Sequence, residues 1–148
     1  MLLIIELKSL NARNGQRAFV EGVAEKLASY DGSVTLKTFD PEILTNIRHA
    51  MPDRPRGILA ENTRSAEWRR QFGVMERFIL RNMLHWPRTR PDFISYGVHS
   101  LPAPAPWIMR HLFGVPVMTW TVRTADDRAA AARYADQIVF EGFDPDRI

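Results

Sequence analysis

Residues 2–8 read LLIIELK, and the placement of the two charges decides between fold classes. Side chains alternate along an extended chain, so Leu3, Ile5 and Leu7 share one face while Ile4, Glu6 and Lys8 share the other. A strand buried on both faces of an open parallel sheet reads as near-continuous apolar sequence. Here one face is apolar and the other turns polar toward the C-terminal end. The same division recurs in VTLKTF, residues 34–39, with Val34, Leu36 and Thr38 opposite Thr35, Lys37 and Phe39. It recurs again where Met118, Trp120 and Val122 oppose Val117, Thr119 and Thr121. A (β/α) barrel accommodates that pattern, because helices cover the outer face and polar side chains gather inside, near the mouth at the strand C-termini.

Outward from this strand, the chain alternates strand and helix. GQRAFVEGVAEKLASY, residues 15–30, places Phe19, Val20, Val23, Ala24 and Leu27 at helical spacing. Asp31 and Gly32 mark a turn, SVTLKTF (33–39) is a second strand, and Asp40 with Pro41 supplies an N-cap and first-turn proline for a helix over 40–50. RGILA (56–60) is a third strand and PDFISYG (91–97) a fourth. APAPWIMRHLFG (103–114) is a helix opened by prolines and closed by Gly114. VPVMTWTV (115–122) is a fifth strand, Thr124 caps a helix over 125–135, QIVFEG (137–142) is a sixth strand, and DPDRI (144–148) begins a last helical turn. Between Glu61 and Arg90 the residues Trp68, Phe72, Met75, Phe78, Ile79 and Met83 recur at spacings of three and four, which predicts one long helix or two shorter ones inserted in the pattern. Such alternation implies parallel strands with right-handed crossovers. The expectation is one α/β domain over 1–148, an incomplete TIM-type (β/α)8 barrel of about six units, with a helical insertion over 61–90.

Composition narrows the chemistry. The chain has 148 residues, 45% of them hydrophobic, which suits a single core. It has no cysteine, so disulfides and thiolate metal sites are excluded and a metal would be held by oxygen or imidazole. MLLII is too short for a signal-peptide core and has no basic residue before it. No stretch approaches the roughly 20 apolar residues that span a bilayer. A cytoplasmic protein without a transmembrane segment is expected. The net charge of +3 rests on 17 Arg against 3 Lys, and 7 of the Arg fall between Arg64 and Arg90. Charge interleaved with apolar residues marks the wet face of a helix more often than a nucleic-acid surface, so nucleic acid is not an expected partner. The segment from Arg64 to Arg90 is read first as a solvated helix packed by its aromatic face, and second as a lid or membrane-surface contact.

Glu6 and Lys8 sit at the C-terminal end of the first strand, where barrel active sites are built. A carboxylate there can hold Mg²⁺ or Ca²⁺, and an ammonium about 7 Å along the strand can meet a phosphate oxygen. The plainer alternative is a structural ion pair, Glu6 with Lys8 or with Lys37.

LLIIELKS, VTLKTFDPEIL, PRGIL, PDFISYG, GVPVMTWTV and ADQIVF, in this order and spacing, resemble the glycerophosphodiester phosphodiesterase family. The resemblance implies a (β/α)8 barrel that, with a divalent metal, hydrolyses glycerophosphodiesters to glycerol 3-phosphate and an alcohol. It implies that Glu6 is the metal-ligand glutamate of the third barrel strand and that Lys8 contacts phosphate. Phe39 and Trp120 match aromatic positions that line the glycerol end of the substrate, with ordinary core packing as the alternative. Thr38 stands where the family usually has Ser, Arg123 where Asn is common, and FEGFDP replaces a last-strand end such as Thr-Asp-Arg-Pro.

The family's His-Arg-Gly, its Glu-x-Asp and its second catalytic His belong to the first two barrel strands, and this sequence contains no counterpart of them. The six strands therefore read as strands 3 to 8. Whether the chain is an active phosphoric diester hydrolase is left open, with activity expected to be impaired or absent. Its own four His offer no evident replacement: His49 and His111 fall near helix ends, His85 in the Arg-rich segment and His99 just past the fourth strand. The competing expectation is a non-catalytic module, a half-barrel that binds a phosphate ligand or forms homo-oligomers through open sheet edges.

Overall fold

A computed structural model describes residues 2–9, 15–64 and 66–144. The helical turn expected at the C-terminus falls on 145–148, outside the described residues. The strands are β1 (Leu3–Glu6), β2 (Val34–Thr38), β3 (Arg56–Ala60), β4 (Phe93–Gly97), β5 (Val117–Val122) and β6 (Gln137–Phe140). The helices are α1 (Gln16–Leu27), α2 (Pro41–Ala50), α3 (Ala66–Gln71), α4 (Val74–Arg81), α5 (Trp86–Thr89), α6 (Pro104–Phe113) and α7 (Ala125–Tyr134). Two compact units result: Met1–Leu59 with His85–Asp92, and Ala60–Leu84 with Phe93–Ile148.

In the first unit β1, β2 and β3 run parallel, with Leu3 opposite Val34, Glu6 opposite Lys37, and Lys37 opposite Gly57. β2 lies between two neighbours, and all five of its residues are buried. The aspartate–proline start expected for α2 is present: Asp40 accepts a hydrogen bond from the Glu42 backbone N–H at 2.7 Å, and Pro41 opens the first turn. Arg48 and His49 occupy the last turn, where cations complement the helix dipole. α2 packs on β2, α1 and α5, and its Ile43, Leu44 and Ile47 are fully buried. Burial of each contributes about 2 kcal/mol.

In the second unit β4, β5 and β6 are parallel, with Ser95 opposite Met118, Gly97 opposite Trp120 and Thr119 opposite Ile138. The register shifts between Thr119 and Val122, a bulge that turns the end of β5. Val98, Val122 and Ala131 form a buried cluster packed by Ala130, Ile138 and Phe143. α6 ends at Gly114, whose φ of 67° is left-handed and lets the next residue's N–H close on Met109 O.

The segment 61–90 holds three short helices rather than one or two. Gly73 is extended and caps α4, and the Glu76 side chain returns to its N–H at 2.9 Å. Met83 and Arg90, with φ of 54° and 41°, are left-handed just after α4 and α5. Trp68 and Phe72 stack at 5.1 Å, but α4 has no buried residue.

Candidate functional site

In the first unit the C-terminal ends of β1 and β2 gather Glu6, Lys8, Lys37, Thr38, Phe39 and Asp40. Glu6 and Lys37 are register partners, and the pairing continues one residue further through Leu7 N–H to Lys37 O at 2.8 Å. Leu7 is buried while Glu6 and Lys8 are exposed, so the expected alternation holds from Ile5 to Lys8, past the strand's last residue, whereas Leu2, Leu3 and Ile4 are all exposed. Lys37 is buried, and its other register partner, Gly57, has no side chain to compete for the space. Burial lowers the Lys37 pKa from the usual lysine range, and the nearby Glu6 carboxylate partly opposes that shift.

Asp40 ties this end together. Its Oδ2 accepts from Ser9 Oγ at 2.8 Å, while its Oδ1 caps α2. Its own N–H donates to Thr38 Oγ1 at 3.1 Å. The hydroxyl kept at Thr38 thus has a local backbone role. Phe39 is half-buried beside this knot.

The second unit has its own polar edge at the C-terminal ends of β4, β5 and β6. Trp120 is half-buried, and its indole N–H donates to Ser95 O at 3.0 Å. Thr119 Oγ1 donates to Tyr96 O at 2.8 Å. Glu61 accepts from Trp68 Nε1 at 2.7 Å, and a Cβ on Gly97 would stand 3.2 Å from Glu61 Cβ. Tyr96 is 2% exposed, and burial raises its pKa. Arg123, at the position where Asn is common in the resembling family, pairs with Glu141 at 2.6 Å.

His99 stands just past β4, as expected, with Nδ1 3.5 Å from Asp127 Oδ1. Asp127 is buried and accepts from the backbone N–H groups of Arg123 and Thr124, each at 3.0 Å. The Arg123 bond leads in lowering its pKa. Asp127 was not among the residues read from the sequence as functional, although Thr-x-x-Asp at 124–127 is a capping-box signal. Its partner lies 28 positions earlier, beyond any local pattern. The His111 ring lies tilted at 41° against Trp107 with centroids 4.8 Å apart, and His49 is exposed in the last turn of α2.

No known family pattern and no curated sequence matches this chain. Solved structures do. A protein from Silicibacter pomeroyi DSS-3 described as a glycerophosphoryl diester phosphodiesterase superposes with a TM-score of 0.68 at 21% identity, over 94% of this chain and 46% of its own. A glycerophosphodiester phosphodiesterase from Parabacteroides distasonis gives 0.66 at 13% identity, over 93% and 52%. An Oleispira antarctica phosphodiesterase, solved with the product sn-glycerol-3-phosphate, gives 0.62 at 12% identity, over 91% and 49%. The fold is an incomplete TIM-type (β/α)8 barrel. Its six parallel strands alternate with helices as the sequence predicts, and the chain spans about half the length of the structures it matches.

The divalent metal implied by the resemblance tests the donor set. Among the described residues no three His, Asp or Glu side chains converge as a metal site. Glu6 stands in register with an ammonium instead of a second carboxylate. This set does not fit a divalent cation by itself. Lys8 and Lys37 offer positive charge to an anion, and burial makes Lys37 the costlier of the two to keep charged.

Proposed function

We propose that this chain is glycerophosphodiester phosphodiesterase-like and holds the glycerol-phosphate end of a phosphodiester. The reaction to which it belongs is hydrolysis of glycerophosphodiesters to glycerol 3-phosphate and an alcohol, a step of cytoplasmic lipid metabolism. The supporting observation is the fold likeness over more than nine-tenths of the chain to phosphodiesterases, one of them holding glycerol-3-phosphate. In this reading Lys8 contacts the phosphate and Phe39 lies against the glycerol carbons, with Trp120 assigned a like aromatic role from its Trp-Thr-Val strand. Glu6 is the metal-ligand carboxylate of this reading, and Mg²⁺ or Ca²⁺ enters only with carboxylates from outside the described residues. The same residues supply no histidine pair for general acid and base work, so their own turnover is impaired or absent.

Two measurements test this. An NMR titration of residues 1–148 with sn-glycerol 3-phosphate is expected to shift signals around Lys8 and Lys37, with affinity reduced about tenfold by Lys8→Ala, the loss of one charge-assisted hydrogen bond. Glycerophosphocholine with Mg²⁺ is expected to turn over at background rate. Absence of any glycerol 3-phosphate binding would sink the reading, and Mg²⁺-dependent turnover abolished by Glu6→Gln would sink the impairment.

A second reading, an oligomerising half-barrel module, is favoured by the edge of the first unit. There β1 pairs with β2 on one side, and Leu2, Leu3 and Ile4 are 58%, 36% and 36% exposed. Open apolar edges template pairing with another chain. Sedimentation velocity is expected to show a concentration-dependent dimer that Ile4→Lys dissociates. A monomer at every concentration would argue against it.

A further inference from the structure

We propose that α4 docks on an anionic membrane surface, with Val74, Met75 and Phe78 at the headgroup–acyl boundary and Arg70 and Arg81 on lipid phosphates. α4 buries none of its residues. Val74, Met75 and Phe78 are 78%, 68% and 56% exposed, and at positions i, i+1 and i+4 they fall on one side of the helix. Arg81, three residues after Phe78, borders that side, and Arg70 precedes it at the end of α3; both are exposed. The ion pairs among the described residues engage neither arginine. The acid of α4, Glu76, is occupied at the Gly73 N–H.

Charge selects the occupant. An apolar centre with exposed Arg81 beside it and exposed Arg70 just before it complements a surface that is anionic outside and apolar beneath. A second copy of the same face would bring arginine against arginine. No helix among the described residues is long and apolar enough to cross a membrane. It stands independently of the phosphate site in the first unit.

The test is flotation of the whole chain with phosphatidylcholine vesicles and with vesicles in which about a third of the lipid is phosphatidylglycerol. Binding is expected only to the anionic vesicles and should fall as salt screens the arginines. Phe78→Asp should reduce it more than tenfold, and Arg81→Gln about fivefold. Phe78 is mostly exposed, so circular dichroism should show both variants folded. The proposal is overturned if the chain ignores anionic vesicles or if Phe78→Asp binds them unchanged. It is likewise overturned if sedimentation shows a dimer that Phe78→Asp dissociates while vesicle binding is absent, which would make the face a self-association surface.

Discussion

At pH 4.5 the protein is expected to be roughly 2–3 kcal/mol less stable than at pH 7, through His85 alone. His85 is 7% exposed, and its pKa is lowered to about 4, first by burial and second by the charge of Arg88. The neighbouring Thr89 hydroxyl donates to His85 O at 3.2 Å and lies 3.0 Å from His85 Nδ1. Thr89 Oγ1 accepts from Nδ1–H or donates to Nδ1 according to the ring tautomer, so the neutral ring has this partner in either form. The unfolded histidine takes up its proton near pH 6.5, well before the folded one does. Between pH 6.5 and about 4 the unfolded state therefore binds more protons, so stability is full above this window and falls as pH drops through it. Asp127 and Asp136 have pKa values below the ordinary aspartate value of 3.8, so their contributions are lost below the window. Urea midpoints at pH 7 and 4.5 measure the difference. His85→Asn keeps a donor near the Nδ1 position without a titrating group, and it should remove the decline. An unchanged decline in that variant would place the sensitivity elsewhere.

His85 also marks where sequence reading ends. The alternation from Ile5 to Lys8, the Asp40–Pro41 start of α2 and the Gly114 end of α6 are local patterns that had their expected outcome, whereas Leu3 and Ile4, on opposite faces of β1, are equally exposed at 36%. The breaks in 61–90 have weaker signals. Met83 and Arg90 adopt left-handed backbone that their side chains do not advertise, while the spacing of Trp68, Phe72, Met75 and Ile79 runs unbroken across Gly73. Periodicity showed that this segment is amphipathic, but it could not show that the apolar side of α4 would be left uncovered. The site divides in the same way. Alternation along one strand puts Glu6 and Lys8 at its polar end, but the Glu6–Lys37 pairing depends on interstrand register, and the Asp127–His99 contact joins the first turn of α7 to the short turn just past β4. Contacts between distant positions have no counterpart in a short stretch of sequence.

Ile47→Ala is expected to cost about 3–4 kcal/mol, the largest effect of any single substitution considered. Ile47 is 0% exposed and lies on the helix that packs against α1, α5 and β2. Truncation removes the transfer free energy of its methyl and methylene groups and leaves a cavity. Fully buried Ile43 and Leu44 on the same helix limit how far the walls can relax into it. At about 2–4 °C per kcal/mol for a protein near this size, the melting temperature should fall by roughly 10 °C. Ile47→Val, which removes one methylene, should cost only about 1 kcal/mol. The same helix carries its cap at Asp40, and Asp40 holds Ser9 one residue past Lys8. Loosening α2 should therefore reach the C-terminal end of β1, where the proposed phosphate contact Lys8 lies. Amide exchange at Leu7, whose N–H bonds Lys37 O, is expected to quicken in Ile47→Ala. If exchange quickens only around Ile47, then α2 stabilises the core without positioning the site.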